Sequence, residues 1–139
     1  MRCASTLFAV VALIGLHLTA GSSAEHSVAA AVLQLPTNPI PTSESSVKAG
    51  GIIYARTCRS CHGVLGKGDG VDPPPGSKPA NLVAGQWKHG GSDAEIFKTI
   101  KEGVGPDFFM QSFDGKLSDE DIWNTINYLR NLAKKRAKK

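Results

Sequence analysis

The clearest apolar spacing in the chain lies near its C-terminal end. Ile122, Ile126, Leu129 and Ala133 recur at intervals of 4, 3 and 4. Trp123, Tyr128 and Leu132 widen them into a stripe, which predicts an amphipathic helix. Ser118-Asp119-Glu120-Asp121 opens it with a cap and a first turn of acids, and lysines close its last turn. A shorter stripe, Ile96, Phe97, Ile100 and Val104, follows the capping box Ser92-Asp93-Ala94-Glu95 and ends at Gly103 and Gly105-Pro106. Upstream, Gly50, Tyr54 and Cys58 recur every four residues on one helical face, with Ser45 or Ser46 as the cap. Glycine inside a helix costs about 1 kcal/mol relative to alanine. Gly50-Gly51 therefore predicts either close approach by another helix or a helix that starts late, at Ile52.

No strand alternation and no internal repeat occur, so the pattern predicts an all-α fold. Pro36, Pro39 and Pro41, set among Thr, Ser and Asn, predict a flexible or extended linker over 25–45. The folded part is then expected over 46–139, about 94 residues in length. After His62, four glycines and Pro73-Pro74-Pro75 predict an irregular loop, without the strand and helix flanks that a phosphate loop needs. At the N-terminus, Arg2, the mostly apolar run Leu7 to Leu18 and Ser22-Ser23-Ala24 have the form of an export signal over 1–24. The run is short for a membrane span. An uncleaved anchor is the alternative.

The formal net charge is +4, and five positive charges sit at Lys134, Lys135, Arg136, Lys138 and Lys139. Taking these five from +4 leaves −1 for the rest, so the body is close to neutral. The basic tail reads as a solvated helix end or as a steering element toward an acidic docking face. No aromatics interleave with it, which argues against nucleic acid.

The candidate chemistry is concentrated in Cys58-Arg59-Ser60-Cys61-His62. C-x-x-C-H is the run that attaches a c-type haem through two thioethers, with the histidine as an iron ligand. A zinc site would want a second ligand pair, and the only other cysteine is Cys3. A thioredoxin-like pair would want a βαβ context. A structural disulfide is the third rival. Export would remove Cys3 and leave Cys58 and Cys61 as the only cysteines, in a compartment where disulfides are allowed.

A haem held by His62 leaves its other face to methionine, a second histidine or nothing. With Met1 lost alongside the signal, Met110 is the only methionine, in a loop between the two C-terminal helices. A lone methionine is also a common core filler. His89, in Trp87-Lys88-His89-Gly90-Gly91, is the rival ligand, while His26 falls in the linker. His/Met ligation raises the reduction potential. A buried cofactor would also add apolar surface to a small helical domain, so the haem-free chain is expected to be unstable or molten.

The chain resembles the class I cytochrome c family in its small bacterial monohaem form, over about 46–139. The likeness rests on Gly50-x-x-x-Tyr54-x-x-x-Cys58-x-x-Cys61-His62-Gly63, Gly66-x-Gly68, Lys78-Pro79-Ala80-Asn81-Leu82, the Met110 loop, and Leu117 to Trp123 leading to Tyr128. The resemblance implies three to five short helices around one covalently bound haem c, with the first and last helices crossing beside it. It would place Gly50 against an aromatic such as Tyr128. It carries over haem attachment to Cys58 and Cys61, and iron ligation to His62 and Met110. A proline carbonyl often accepts the proximal histidine's N–H, and Pro79 is the match. Trp87 resembles residues that hydrogen-bond a haem propionate, with a core role as the alternative. One departure is Gln111, where the family commonly has a proline after the ligand methionine, and it implies a looser Met110 loop.

These features lead to the expectation of an exported, periplasmic monohaem electron carrier between a redox donor and acceptor. No side chain is needed for catalysis, and no membrane span is expected after signal cleavage. The alternatives are a haem c subunit of a periplasmic oxidoreductase complex, a ligand sensor with a labile Met110, and a thiol–disulfide exchanger.

Overall fold

The computed structural model describes residues 37–138. The expected signal over 1–24 and the linker up to residue 36 lie outside the described residues. Four helices follow in order: α1 (Glu44–Thr57), α2 (Arg59–His62), α3 (Asp93–Glu102) and α4 (Asp119–Ala137). Among the described residues there is no strand, only an isolated antiparallel bridge between Val104 and Met110. No helix among them is long and apolar enough to cross a membrane.

Each long helix begins on a serine capping box. For α3 and α4 these are Ser92 with Glu95 and Ser118 with Asp121, as the sequence predicts. For α1 the cap is Ser43, two or three residues earlier than expected. The Ser43 hydroxyl accepts from Ser46 N–H at 3.1 Å, and the Ser46 hydroxyl accepts from Ser43 N–H at 3.0 Å. Ser46 is thus the reciprocal partner in the box rather than the cap, and the boundary expected at 46 falls inside the helix.

The last stretch of the expected flexible linker is tied down. Asn127 on α4 is buried, accepts from Asn38 Nδ2 at 3.1 Å and Thr42 Oγ1 at 3.0 Å, and donates to the Ile40 carbonyl at 3.0 Å. Ile40 packs on the core. The proline spacing that argues against helix does not prevent this extended segment from being stapled by side-chain amides.

α4 packs most extensively on α1, and the crossing decides between the two readings of the glycine pair. A Cβ on Gly50 would lie 1.9 Å from the Asn124 carbonyl oxygen, so the two backbones touch there. Gly50 faces the α4 backbone rather than Tyr128. Tyr128 instead lies over Gly51, whose Cβ would meet its ring at 3.2 Å. The larger core joins Ile96 and Ile100 of α3 to Ile122, Trp123 and Ile126 of α4, with Phe113 between them. Phe97 stacks on Trp123 at 4.2 Å between centroids.

A candidate haem site

The last four residues of the C-x-x-C-H segment form α2, set off from α1 by a break at Cys58, which caps it. Four residues cannot hold a helix alone. The following loop supplies the support by donating N–H groups back to the carbonyls of the segment: Gly68 to His62 at 2.9 Å, Gly70 to Cys61 at 3.1 Å and Asp72 to Ser60 at 3.0 Å. Tyr54 adds a buried hydroxyl that donates to the Gly63 carbonyl at 2.7 Å, and burial pushes its phenol well above the ordinary range.

Cys58, Cys61 and His62 line a cavity of about 340 Å³. Ile96, Ile100, Leu82, Phe113 and Leu129 supply much of its apolar wall. Both cysteines are half-buried free thiols. The Cys58 thiol is pushed up, chiefly by burial, so it stays protonated at neutral pH.

His62 Nδ1 lies 3.0 Å from the Ala80 carbonyl. A carbonyl can only accept, so Nδ1 carries the proton and Nε2 keeps its lone pair. Burial lowers the His62 pKa, against the opposing Ala80 hydrogen bond, and favours the neutral imidazole that a metal needs. The acceptor is Ala80, not Pro79. The Pro79 carbonyl has another contact, since a Cβ on Gly68 would sit 2.4 Å from it. Gly68, at φ +81°, lets the 79–80 backbone close over the loop and bring the next carbonyl to the imidazole.

Met110 lines the same cavity from the loop after α3 and also packs on the core. That loop is pinned at its ends. Val104 N–H donates to the Met110 carbonyl at 2.9 Å, Phe113 N–H to Ile100 at 3.3 Å, and Ser112 Oγ to the Lys101 carbonyl at 2.7 Å. Gly103, at φ +77°, lets the two arms meet, because a Cβ there would lie 2.7 Å from the Met110 carbonyl. Phe108 adopts φ +49°, an uncommon conformation for an aromatic residue, and its ring lies over Gly105.

Trp87 and His89 also line the cavity, His89 from an exposed position. Trp87 packs on the core, and the Arg130 guanidinium lies 5.9 Å from its ring centroid. Arg130 fixes this wall. Its Nε donates to Asp93 Oδ1 at 2.8 Å, and its Nη2 donates to Asp93 Oδ1 at 2.7 Å and to the Gly91 carbonyl at 2.5 Å. Ala80 and Arg130 were not legible as site residues. The first acts through a backbone carbonyl, which carries no sequence signal. The second reads only as part of a charged helix face.

Two thiols, a neutral imidazole and a thioether lining one largely apolar cavity are donors that fit a covalently tethered haem. The sequence family described as cytochrome C oxidase, cbb3-type, subunit III matches residues 45–129. The chain is a class I c-type cytochrome and belongs to this family.

One relative of this cytochrome is a cbb3-type cytochrome c oxidase subunit of Azorhizobium caulinodans. It is 37% identical over 112 residues, covering 81% of this chain and 36% of the relative. A solved structure, the reducing HAO-like protein complex of Kuenenia stuttgartiensis, matches with a TM-score of 0.62 at 30% identity, over 68% of this chain and 46% of that one. Cytochrome cL of Methylophaga aminisulfidivorans shares the fold, with a TM-score of 0.53 at 19% identity over 67% of this chain and 63% of its own. This cytochrome spans about a third of the length of the curated relatives it matches. It is a haem c electron-transfer protein with an all-helical fold, and its cofactor is covalently bound haem c with iron.

Proposed function

We propose that the protein is an exported electron carrier with a single His/Met-ligated haem, passing one electron at a time between two redox proteins without being an enzyme itself. The observation that carries this reading is the shared cavity, with neutral His62 and Met110 both in its lining. Bound haem c supplies the one-electron iron couple. Cys58 and Cys61 tether it, and the Ala80 carbonyl orients His62 so that Nε2 is offered to the iron. Met110, in the same cavity, would offer a soft thioether to the iron, which would favour the ferrous state and raise the potential. The apolar side chains lining the cavity from α3 and α4 would exclude water from the bound group. The signal-like pattern over 1–24 supports export.

Met110 is favoured over His89 because it packs on the core while His89 is exposed. The test is the far-red methionine-to-iron charge-transfer band of the oxidised protein. It should vanish in Met110→Ala and persist in His89→Ala. Persistence in Met110→Ala would reject the ligand assignment.

The relatives favour a second reading, in which the protein is a haem c subunit of an oxidoreductase complex. Those relatives carry the names of oxidase subunits and of a multi-protein complex. Co-purification of the exported protein with a large redox partner would support that reading. A stable isolated monomer that exchanges electrons with soluble partners would support the carrier.

A further inference from the structure

Trp87, Lys88, His89 and Gly90 line the haem cavity as one continuous stretch. The stretch is not helical, and among the described residues 84–90 make no hydrogen bond to any helix. Its hold on α4 comes through Arg130. That guanidinium lies 5.9 Å from the Trp87 ring centroid and donates to the Gly91 carbonyl at 2.5 Å. It also closes on Asp93 Oδ1, through Nε at 2.8 Å and Nη2 at 2.7 Å. One side chain thus meets the segment at residues 87, 91 and 93.

This pair differs from the other ion pairs of the described residues. Arg130 and Asp93 are 33% and 31% exposed, whereas each of the others includes a carboxylate at least 63% exposed. A half-buried, forked pair holds a defined geometry that a solvated pair does not. The start of α3 does not depend on it, since Ser92 and Glu95 already form the capping box there. What Arg130 adds is a tie between α4 and the 87–90 wall. α4 itself lines the cavity with Thr125 and with buried Leu129, the residue before Arg130. The clamp therefore keeps two parts of the lining in register.

The register matters for a redox cofactor. A haem iron carries one more positive charge in the ferric state, so water reaching it favours that state. A wall held shut favours the ferrous state.

We propose that Arg130 is a positioning residue for electron transfer, whose clamp on Gly91 and Asp93 holds the 87–90 wall closed against water and so raises the ferrous share of the bound haem. The proposal rests on the electron-carrier function above and adds a residue that sets its redox poise. The step affected is the one-electron exchange of the iron couple, in which no bond is made or broken.

A through-space field from the Arg130 charge would act on the same couple, and the two effects part at Asp93. Removing the cation favours ferric iron under either. Removing the Asp93 carboxylate disfavours ferric iron by field alone, yet favours it when the wall opens.

The test is a spectroelectrochemical titration of the full haem-loaded protein. Arg130→Met keeps an apolar stem and loses the donors. This variant and Asp93→Ala should each raise the ferric-to-ferrous ratio about threefold or more at a fixed solution potential. Arg130→Lys keeps the charge and loses the fork, and should shift the ratio the same way by about twofold. Lys98→Met, from an exposed pair, should stay within about 1.3-fold of the wild type. Acrylamide quenching of tryptophan emission should rise in the Arg130 and Asp93 variants. It should fall back when Trp87→Phe is added, because Trp123 stays stacked in the core.

A higher ferrous share in Asp93→Ala overturns the proposal. So does an Arg130→Met protein with unchanged tryptophan quenching, or with a ratio within about 1.5-fold of the wild type. Far-ultraviolet circular dichroism certifies each fold, and Arg130→Lys with Asp93→Ala decides if Arg130→Met folds poorly. A wild-type protein with no reversible one-electron couple overturns the carrier function and this proposal together. A reversible couple that none of the clamp variants moves overturns the positioning role alone.

Discussion

Replacing Gly50 by alanine tests the helix crossing that supports the site. The added Cβ would start 1.9 Å from the Asn124 carbonyl oxygen and 2.4 Å from its carbon, both backbone atoms of α4. Ordinary contact begins near 3.4 Å, so α1 and α4 must part by roughly 1.5 Å at their closest point. No rotamer can relieve this, because neither partner is a side chain. Overpacking of this kind costs about 1–3 kcal/mol, and a rigid backbone neighbour puts it at the upper end. Alanine returns about 1 kcal/mol of helix propensity. The net expectation is a loss of about 2 kcal/mol, or about 8–16 °C in Tm for a domain of this size. Gly51→Ala is the control. Its Cβ meets the Tyr128 ring at 3.2 Å, and that side chain can give way, so propensity and contact roughly cancel and stability should stay within about 1 kcal/mol of the wild type. Thermal melts of the haem-loaded protein, followed by far-ultraviolet circular dichroism and Soret absorbance, read both. A Gly50→Ala protein melting within two or so degrees of the wild type, or a larger loss in Gly51→Ala, would refute the crossing geometry.

Three further outcomes follow from the polar contacts. Asn127→Ala leaves the Ile40 carbonyl and the Thr42 donor without their α4 partner, and Asn38 with only its 3.4 Å bond to the Trp123 carbonyl; it should cost about 2–3 kcal/mol in urea unfolding and speed proteolysis within 37–43. Arg130→Ala unpairs Asp93 and frees the Gly91 carbonyl at the Trp87 wall, for a loss of about 1–2 kcal/mol that Arg130→Lys recovers only in part, because lysine lacks the two-pronged donor. The Ser92 hydroxyl and N–H hold the Glu95 carboxyl below its ordinary 4.5; a depressed folded-state value means the stabilisation is present above the unfolded-state value and is lost as pH falls through the folded one, so Glu95→Gln should flatten the acid limb of Tm against pH below about 4.5.

The sequence was most legible where local chemistry decides structure. The boxes at Ser92 and Ser118, the stops at Gly103 and Gly105, and the apolar stripe of α4 depend on neighbours within a turn or two, and the structure follows them. Ser43 escaped because Ser43, Ser45 and Ser46 are chemically alike. Only the reciprocal pair of hydrogen bonds with Ser46 distinguishes the cap. Asn124, Thr125 and Asn127 are polar residues that make α4 read as one-sided, yet all three are buried. Asn124 contributes its backbone to the Gly50 contact, Thr125 donates to the Asp121 carbonyl at 2.8 Å, and Asn127 staples the entering segment. Their burial depends on what packs against the second face of the helix, which periodicity does not report.

The site shows the same division between side chains and backbone. Cys58, Cys61, His62 and Met110 are named by their chemistry, and the structure brings all four to one cavity. What aligns the imidazole is a sequence of backbone contacts with no side-chain signature. Gly68 N–H holds the His62 carbonyl, the bare Cα of Gly68 admits the Pro79 carbonyl, and this register brings the Ala80 carbonyl to His62 Nδ1. A residue with a Cβ at 68 would meet Pro79 before Ala80 could reach the ring. The imidazole would then lose the acceptor that fixes its tautomer, although Cys58, Cys61, His62 and Met110 were all retained. Gly68 is therefore a positioning residue for His62, since the register it permits brings the Ala80 carbonyl to Nδ1 and leaves Nε2 free to face a metal.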